Sequence, residues 1–162
     1  MKKMQYKSNE YDPEKHDKFK ALMVKQPYAE DLATGAKTIE LRKYRTKYRG
    51  DVLICASKLP KIPPLLNSAC LALVELYDVK PVSEFTPEDW NATRVPVEKR
   101  ASIKYGYGWL FRNPRRVIEF PVHGQLGLFN LVYTKGVIEQ YPTQVVYDDE
   151  AWAKFAKNNK IL

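Results

Sequence analysis

Residues 69–79, Ala-Cys-Leu-Ala-Leu-Val-Glu-Leu-Tyr-Asp-Val, form a long apolar stretch whose length and β-branched content predict a strand. Just before it, residues 58–67 contain Pro60, Pro63 and Pro64. They cannot form regular structure and predict an exposed loop. A second strand is expected on the other side of that loop, at residues 51–57, entered through the turn residues Arg49-Gly50. Further strands are read at residues 19–25 and 37–43, and at 107–111 and 116–122, joined through Asn113-Pro114. Another falls at 127–133. Between the first two, Gln26-Pro27 opens a short helix that Gly35 closes. Thr86-Pro87-Glu88-Asp89 starts another, with a capping hydroxyl and acidic residues at the positive dipole end. Asp148-Asp149-Glu150 caps a C-terminal helix with Trp152, Phe155 and Ala156 at helical spacing. Residues 1–18 are polar and read as an N-terminal arm, leaving 19–162 as a single domain. About six strands with short helices suggest an α+β protein, a small, mostly antiparallel barrel with peripheral helices.

The chain of 162 residues is long enough to bury a core without disulfides or metal. Cys55 and Cys70 show no C-x-x-C spacing, and His16 and His123 lie far apart, so a zinc site is not expected. No phosphate-cradling glycine loop, G-x-S-x-G elbow, dinucleotide fingerprint or acidic metal cluster is present, and no cofactor is expected. No apolar run approaches the roughly 20 residues that span a bilayer, and the first residues lack the apolar stretch of a signal peptide. A soluble, cytoplasmic protein is expected. The formal charge of +8 is concentrated in two places. Residues 37–49 carry six cations against Glu40, a net +5, and residues 94–116 carry seven against Glu98, a net +6. All arginines lie in these segments. Arginine matches phosphate with its planar fork and stacks on bases, so the pattern suggests a nucleic-acid face. Aromatics interleave with the charge: Tyr44 and Tyr48 in the first segment, Tyr105, Tyr107, Trp109 and Phe111 in the second. Rings that stack bases beside cations that follow the backbone suit single-stranded RNA.

Residues 35–42, Gly-Ala-Lys-Thr-Ile-Glu-Leu-Arg, give the pattern G-x-K-x-x-E-x-R at a helix-to-strand junction. The chain here resembles the ASCH domain, a member of the PUA-like fold. The likeness extends to Gln26-Pro27-Tyr28, to Arg49-Gly50 and to Ala56-Ser57-Lys58. Further on it takes in Trp109, Asn113-Pro114-Arg115, Pro121-Val122 and Gly124-x-x-Gly127-Leu-Phe129, covering about residues 20–133. Tyr28 stands where the family more often has tryptophan, and Cys55 where many members have histidine. The resemblance implies a PUA-like pseudo-barrel with a cleft beside the motif, in a family generally regarded as binding RNA.

Strand alternation puts Thr38, Glu40 and Arg42 on one face and Ile39 and Leu41 on the other. Lys37 can join the cleft only if it precedes the strand, in an irregular turn after Gly35. With that placement, Glu40 accepts from a base edge or sugar hydroxyl, Arg42 and Lys37 meet phosphate, and Gln26 reads a base through its amide. Tyr28, Arg45, Arg49, Ser57, Asn113 and Arg115 complete the expected RNA-binding set. Alternatively, Glu40 and Arg42 are a satisfied pair that serves the fold. Some small ASCH relatives are amidohydrolases acting on an acylated cytidine, with the motif lysine and a threonine three residues on; the resemblance implies, as an alternative, a metal-independent hydrolase here. Here the lysine is Lys37 and the threonine position holds Glu40. Lys37 and Glu40 are therefore the candidate catalytic pair of a hydrolase acting on acylated cytidine or RNA. A Lys37, Tyr28 and Ser57 cleft could also support RNA cleavage through the ribose 2′-hydroxyl.

Overall fold

Alternating side chains along the central strands divide the core in two. The computed structural model describes residues 3–139. Its strands are β1 (Gln5–Tyr6), β2 (His16–Val24), β3 (Ile39–Arg42), β4 (Gly50–Ala56), β5 (Ala69–Pro81), β6 (Tyr107–Pro121) and β7 (Leu128–Thr134). The helices are α1 (Tyr28–Thr34), α2 (Pro87–Thr93) and α3 (Val97–Arg100). On β4, Val52 and Ile54 face a cluster with Leu22, Val24, Leu32 of α1, Val74, Leu76, Trp109 and Phe111. Leu53 and Cys55 face a second cluster with Ala21, Leu73, Val117, Phe120, Phe129 and Leu131. From Val52 to Ala56 β4 is buried on both faces and apolar, as the middle of a central strand must be.

The strands form one seven-stranded sheet in the order β1-β7-β2-β4-β5-β6-β3. Only the β2–β4 ladder is parallel. The architecture is α+β and mostly antiparallel, as expected, but the sheet is not closed among the described residues, and the ladders do not by themselves make the expected barrel. No ladder joins the end strand β3 to another strand besides β6 among the described residues. The sheet does curl far enough for Arg42 Nη2, on β3, to donate to Met23 O on β2 at 2.8 Å. A side chain thus spans a gap that no backbone ladder closes.

The strands expected at 107–111 and 116–122 are one continuous strand, β6. Glu75 pairs with Arg112 and Leu73 with Arg115, so Val74 alone opposes Asn113 and Pro114. This bulge accommodates a proline that has no N–H for the ladder and an Asn113 with φ of +55°. The long partner β5 carries the pairing through a dipeptide that locally signals a turn. Part of the segment read as an N-terminal arm lies in the sheet: Gln5 and Tyr6 pair with Tyr133 and Val132, and β2 begins at His16. Helix α2 begins where the sequence predicts, with Thr86 Oγ1 accepting from Asp89 N at 3.2 Å and Thr86 N donating to Asp89 Oδ2 at 2.9 Å. The expected C-terminal helix lies outside the described residues.

Candidate nucleic-acid interface

Gly35 ends α1 with φ of +86°, a left-handed conformation that favours glycine, and the chain then turns before β3 begins. Lys37 lies in that turn, its backbone N–H donating to Asp31 O at 3.0 Å, so strand alternation does not apply to it. It shares a site with Glu40, as the sequence reading required. The Lys37 side chain is 2% exposed. Its Nζ donates to Thr93 O at 2.6 Å, lies 3.4 Å from Glu40 Oε1 and stands 4.7 Å from the centre of the Tyr28 ring. Thr93 is the last residue of α2, so the ammonium meets a carbonyl at the negative end of a helix. Burial holds the Lys37 amine below the ordinary lysine value, while Glu40 and Asp31 oppose the shift.

Glu40 is shared. Its other oxygen, Oε2, accepts from Arg42 Nη2 at 2.9 Å, the same nitrogen that donates to Met23 O. One carboxylate therefore joins a fully buried cation to a partly exposed one. Arg42 Nε is buried and meets no acceptor among the described residues.

The structure gathers Tyr28, Lys37, Glu40 and Arg42, and distributes the other predicted residues elsewhere. The Gln26 amide is buried and engaged at both ends: Nε2 donates to Leu66 O at 2.9 Å and Oε1 accepts from Glu30 N at 3.0 Å. It caps the first turn of α1 and ties down the proline loop. Ser57 fastens the same loop through its backbone, its N–H donating to Val24 O and its carbonyl accepting from Asn67 Nδ2. Asn113 is exposed at the β6 bulge, its carbonyl accepting from Arg115 Nε at 3.0 Å. Arg115 grips Asp51 with both terminal nitrogens. Arg49 donates to Thr46 O and Tyr48 O at 2.8 Å, and Arg45 lies over the Tyr107 ring at 5.4 Å.

These partners sort the basic segments. Arg112 is bound by Glu75, Arg115 by Asp51 and Arg116 by Glu30, and Arg94 lies near Asp31. Most of the charge on β6 is neutralised within the molecule. In the loop between β3 and β4, by contrast, Lys43, Arg45 and Lys47 are exposed and form no ion pair among the described residues. Trp109 and Phe111, two of the aromatics that interleave with the charge of the second segment, both lie in the core. Trp109 Nε1 donates to Tyr44 O at 3.0 Å and anchors the root of this loop. The sequence reading missed the carbonyls of Thr93 and Met23 as partners of the motif cations. Backbone acceptors brought in by the fold leave no residue-type signal.

The ASCH domain family model matches residues 22–122, most of the chain, and the chain belongs to the ASCH family, which is associated with RNA binding. Among solved structures it resembles a serine-to-alanine variant of ZmASCH from Zymomonas mobilis, with a TM-score of 0.53 at 10% identity, over 86% of this chain and 94% of that one. A tyrosine-to-phenylalanine variant of the same protein also has a TM-score of 0.53 at 10% identity, over 85% and 96%. At such identity the likeness concerns the fold. No curated protein matches the chain. Among the described residues no helix is long and apolar enough to cross a membrane.

Proposed function

We propose that this chain is an RNA-binding ASCH domain whose RNA lies in a basic cleft beside the G-x-K-x-x-E-x-R motif. The backbone of the RNA runs along the exposed loop of residues 43–49. Lys37 and Glu40 act from inside, holding the partly exposed Arg42 guanidinium at the inner edge of the site. The observation that carries this reading is the contrast in partners. Lys43, Arg45 and Lys47 follow the motif directly, are exposed and have no acid to neutralise them among the described residues, whereas the β6 arginines do. Cations that the fold leaves unpaired are the ones available to phosphate. Fluorescence anisotropy with labelled single-stranded RNA tests it. Affinity is expected to fall with salt, each neutralised phosphate adding about −0.7 to the log-log slope. Binding insensitive to salt, or none at low ionic strength, would overturn it.

A hydrolytic second reading has one observation in its favour, the buried Lys37 amine held below its ordinary value beside Glu40. In it, water adds to the acyl carbon of an N-acylcytidine, the C–N bond breaks, and carboxylate and cytidine leave. Release of cytidine by the wild type in chelator, abolished in Lys37→Ala, would support it. No turnover by the wild type would reject it.

A further inference from the structure

Four tyrosines among the described residues are substantially exposed, and they are not alike. Tyr77 carries the Arg112 guanidinium 4.5 Å from its ring centre, and Tyr11 carries the Lys18 ammonium at 4.8 Å. Tyr44 and Tyr105 are far more open, at 79% and 89%. Neither ring makes a ring contact, cation contact or hydroxyl bond among the described residues.

The backbone segments that carry these two residues run side by side just before each of them. In the β3–β6 ladder the last pair is Arg42 with Tyr107, and the same antiparallel offset carried two residues further would set Tyr44 against Tyr105. The two segments are still adjacent there. A Cβ on Gly106 would stand 2.9 Å from Arg42 O and 3.9 Å from Lys43 Cα, and Gly106 has φ of +113°. That close approach admits only glycine without displacement. Arg45 reaches across the same junction to the Tyr107 ring. Close to the two tyrosines in sequence are the exposed Lys43, Lys47 and Lys104, none in an ion pair among the described residues.

We infer that Tyr44 and Tyr105 form a stacking platform at the end of the β3–β6 ribbon, selecting single-stranded over duplex RNA. This rests on the RNA-binding reading and adds the form of RNA to it. Bare aromatic faces flanked by unpaired cations suit unstacked bases on a phosphate backbone, because every base has a π-face and every nucleotide a charge. In a duplex the base faces are already stacked and are not available to the rings.

The test uses the full chain, a labelled single-stranded oligouridine of about ten nucleotides and an RNA duplex of the same length, within the site sizes usual for such surfaces. The variants are Tyr44→Ala/Tyr105→Ala and Tyr44→Phe/Tyr105→Phe. The wild type is expected to bind the single strand more tightly than the duplex. The alanine pair should weaken single-strand binding by about 5- to 150-fold per ring and the phenylalanine pair should preserve it. Melting temperatures should not change, since both rings are exposed. Equal single-strand binding by wild type and alanine pair would overturn the platform while leaving the RNA reading standing. Equal loss on the duplex, or no preference for the single strand in the wild type, would overturn it in the same way. No binding of either RNA by the wild type would overturn both.

Discussion

Glu40→Gln keeps the shape of the buried site and removes the carboxylate that pairs with both Lys37 and Arg42. In the wild type the carboxylate stands 3.4 Å from a Lys37 ammonium that is almost wholly buried, and 2.9 Å from Arg42 Nη2. The variant leaves that ammonium with the Thr93 carbonyl, the Tyr28 face and the more distant Asp31 carboxylate, and sets two cations near each other without the anion that bridged them. Breaking a buried ion pair by removing one partner costs about 3–5 kcal/mol, a large part of the roughly 5–15 kcal/mol that holds a domain together. At about 2–4 °C per kcal/mol for a chain of this size, the melting temperature should fall by about 6–20 °C. Urea denaturation at neutral pH, followed by tryptophan fluorescence, measures the free energy. The sign of its pH dependence follows from Lys37. Burial already holds its folded-state value below 10.5, and without Glu40 it falls further. Between that value and 10.5 the unfolded chain binds more protons than the folded one, so stability from this group rises with pH. The window is wider in the variant, and the gap to wild type should narrow as the solution is made alkaline. A loss below about 1 kcal/mol at neutral pH, or a gap that widens in alkali, would refute the reasoning.

Two further outcomes follow from local geometry. Thr86→Ala removes the hydroxyl half of the α2 capping box and should cost about 1 kcal/mol, measured by the same denaturation; an unchanged midpoint would show that the cap contributes nothing. The Arg115 hydrogen bonds hold the Asp51 carboxyl below its ordinary 3.8, so the wild type should be more stable than Asp51→Asn at neutral pH and lose that advantage as acid takes the solution through the lower folded value. An advantage unchanged by acid would contradict that origin.

What the sequence makes legible depends on how local each cause is. The proline loop at residues 58–67 and the strand after it follow from backbone chemistry of the residues themselves. The irregular turn that frees Lys37 from strand alternation follows from Gly35. Strand β6 reads as two strands because Asn113-Pro114 signals a turn locally, while the length of its partner β5 decides the outcome. Gln26 reads as a base-recognising amide because its acceptor, Leu66 O, is brought in from 40 residues away. The basic excess of residues 94–116 overstates the free surface for a similar reason. Glu75, Asp51 and Glu30, which neutralise Arg112, Arg115 and Arg116, come from other elements and do not enter a local count.

The central claim is that RNA meets the cations left unpaired in the 43–49 loop and not those paired on β6. Charge reversal separates the two groups: Arg45→Glu/Lys47→Glu against Arg112→Glu/Arg115→Glu, each titrated with the same single-stranded RNA over a range of salt. The loop variant is expected to bind much more weakly, with a log-log salt slope shallower by about 0.7 for each phosphate it no longer neutralises, while the β6 variant keeps the wild-type slope. A β6 variant whose slope collapses while the loop variant retains it would contradict the account.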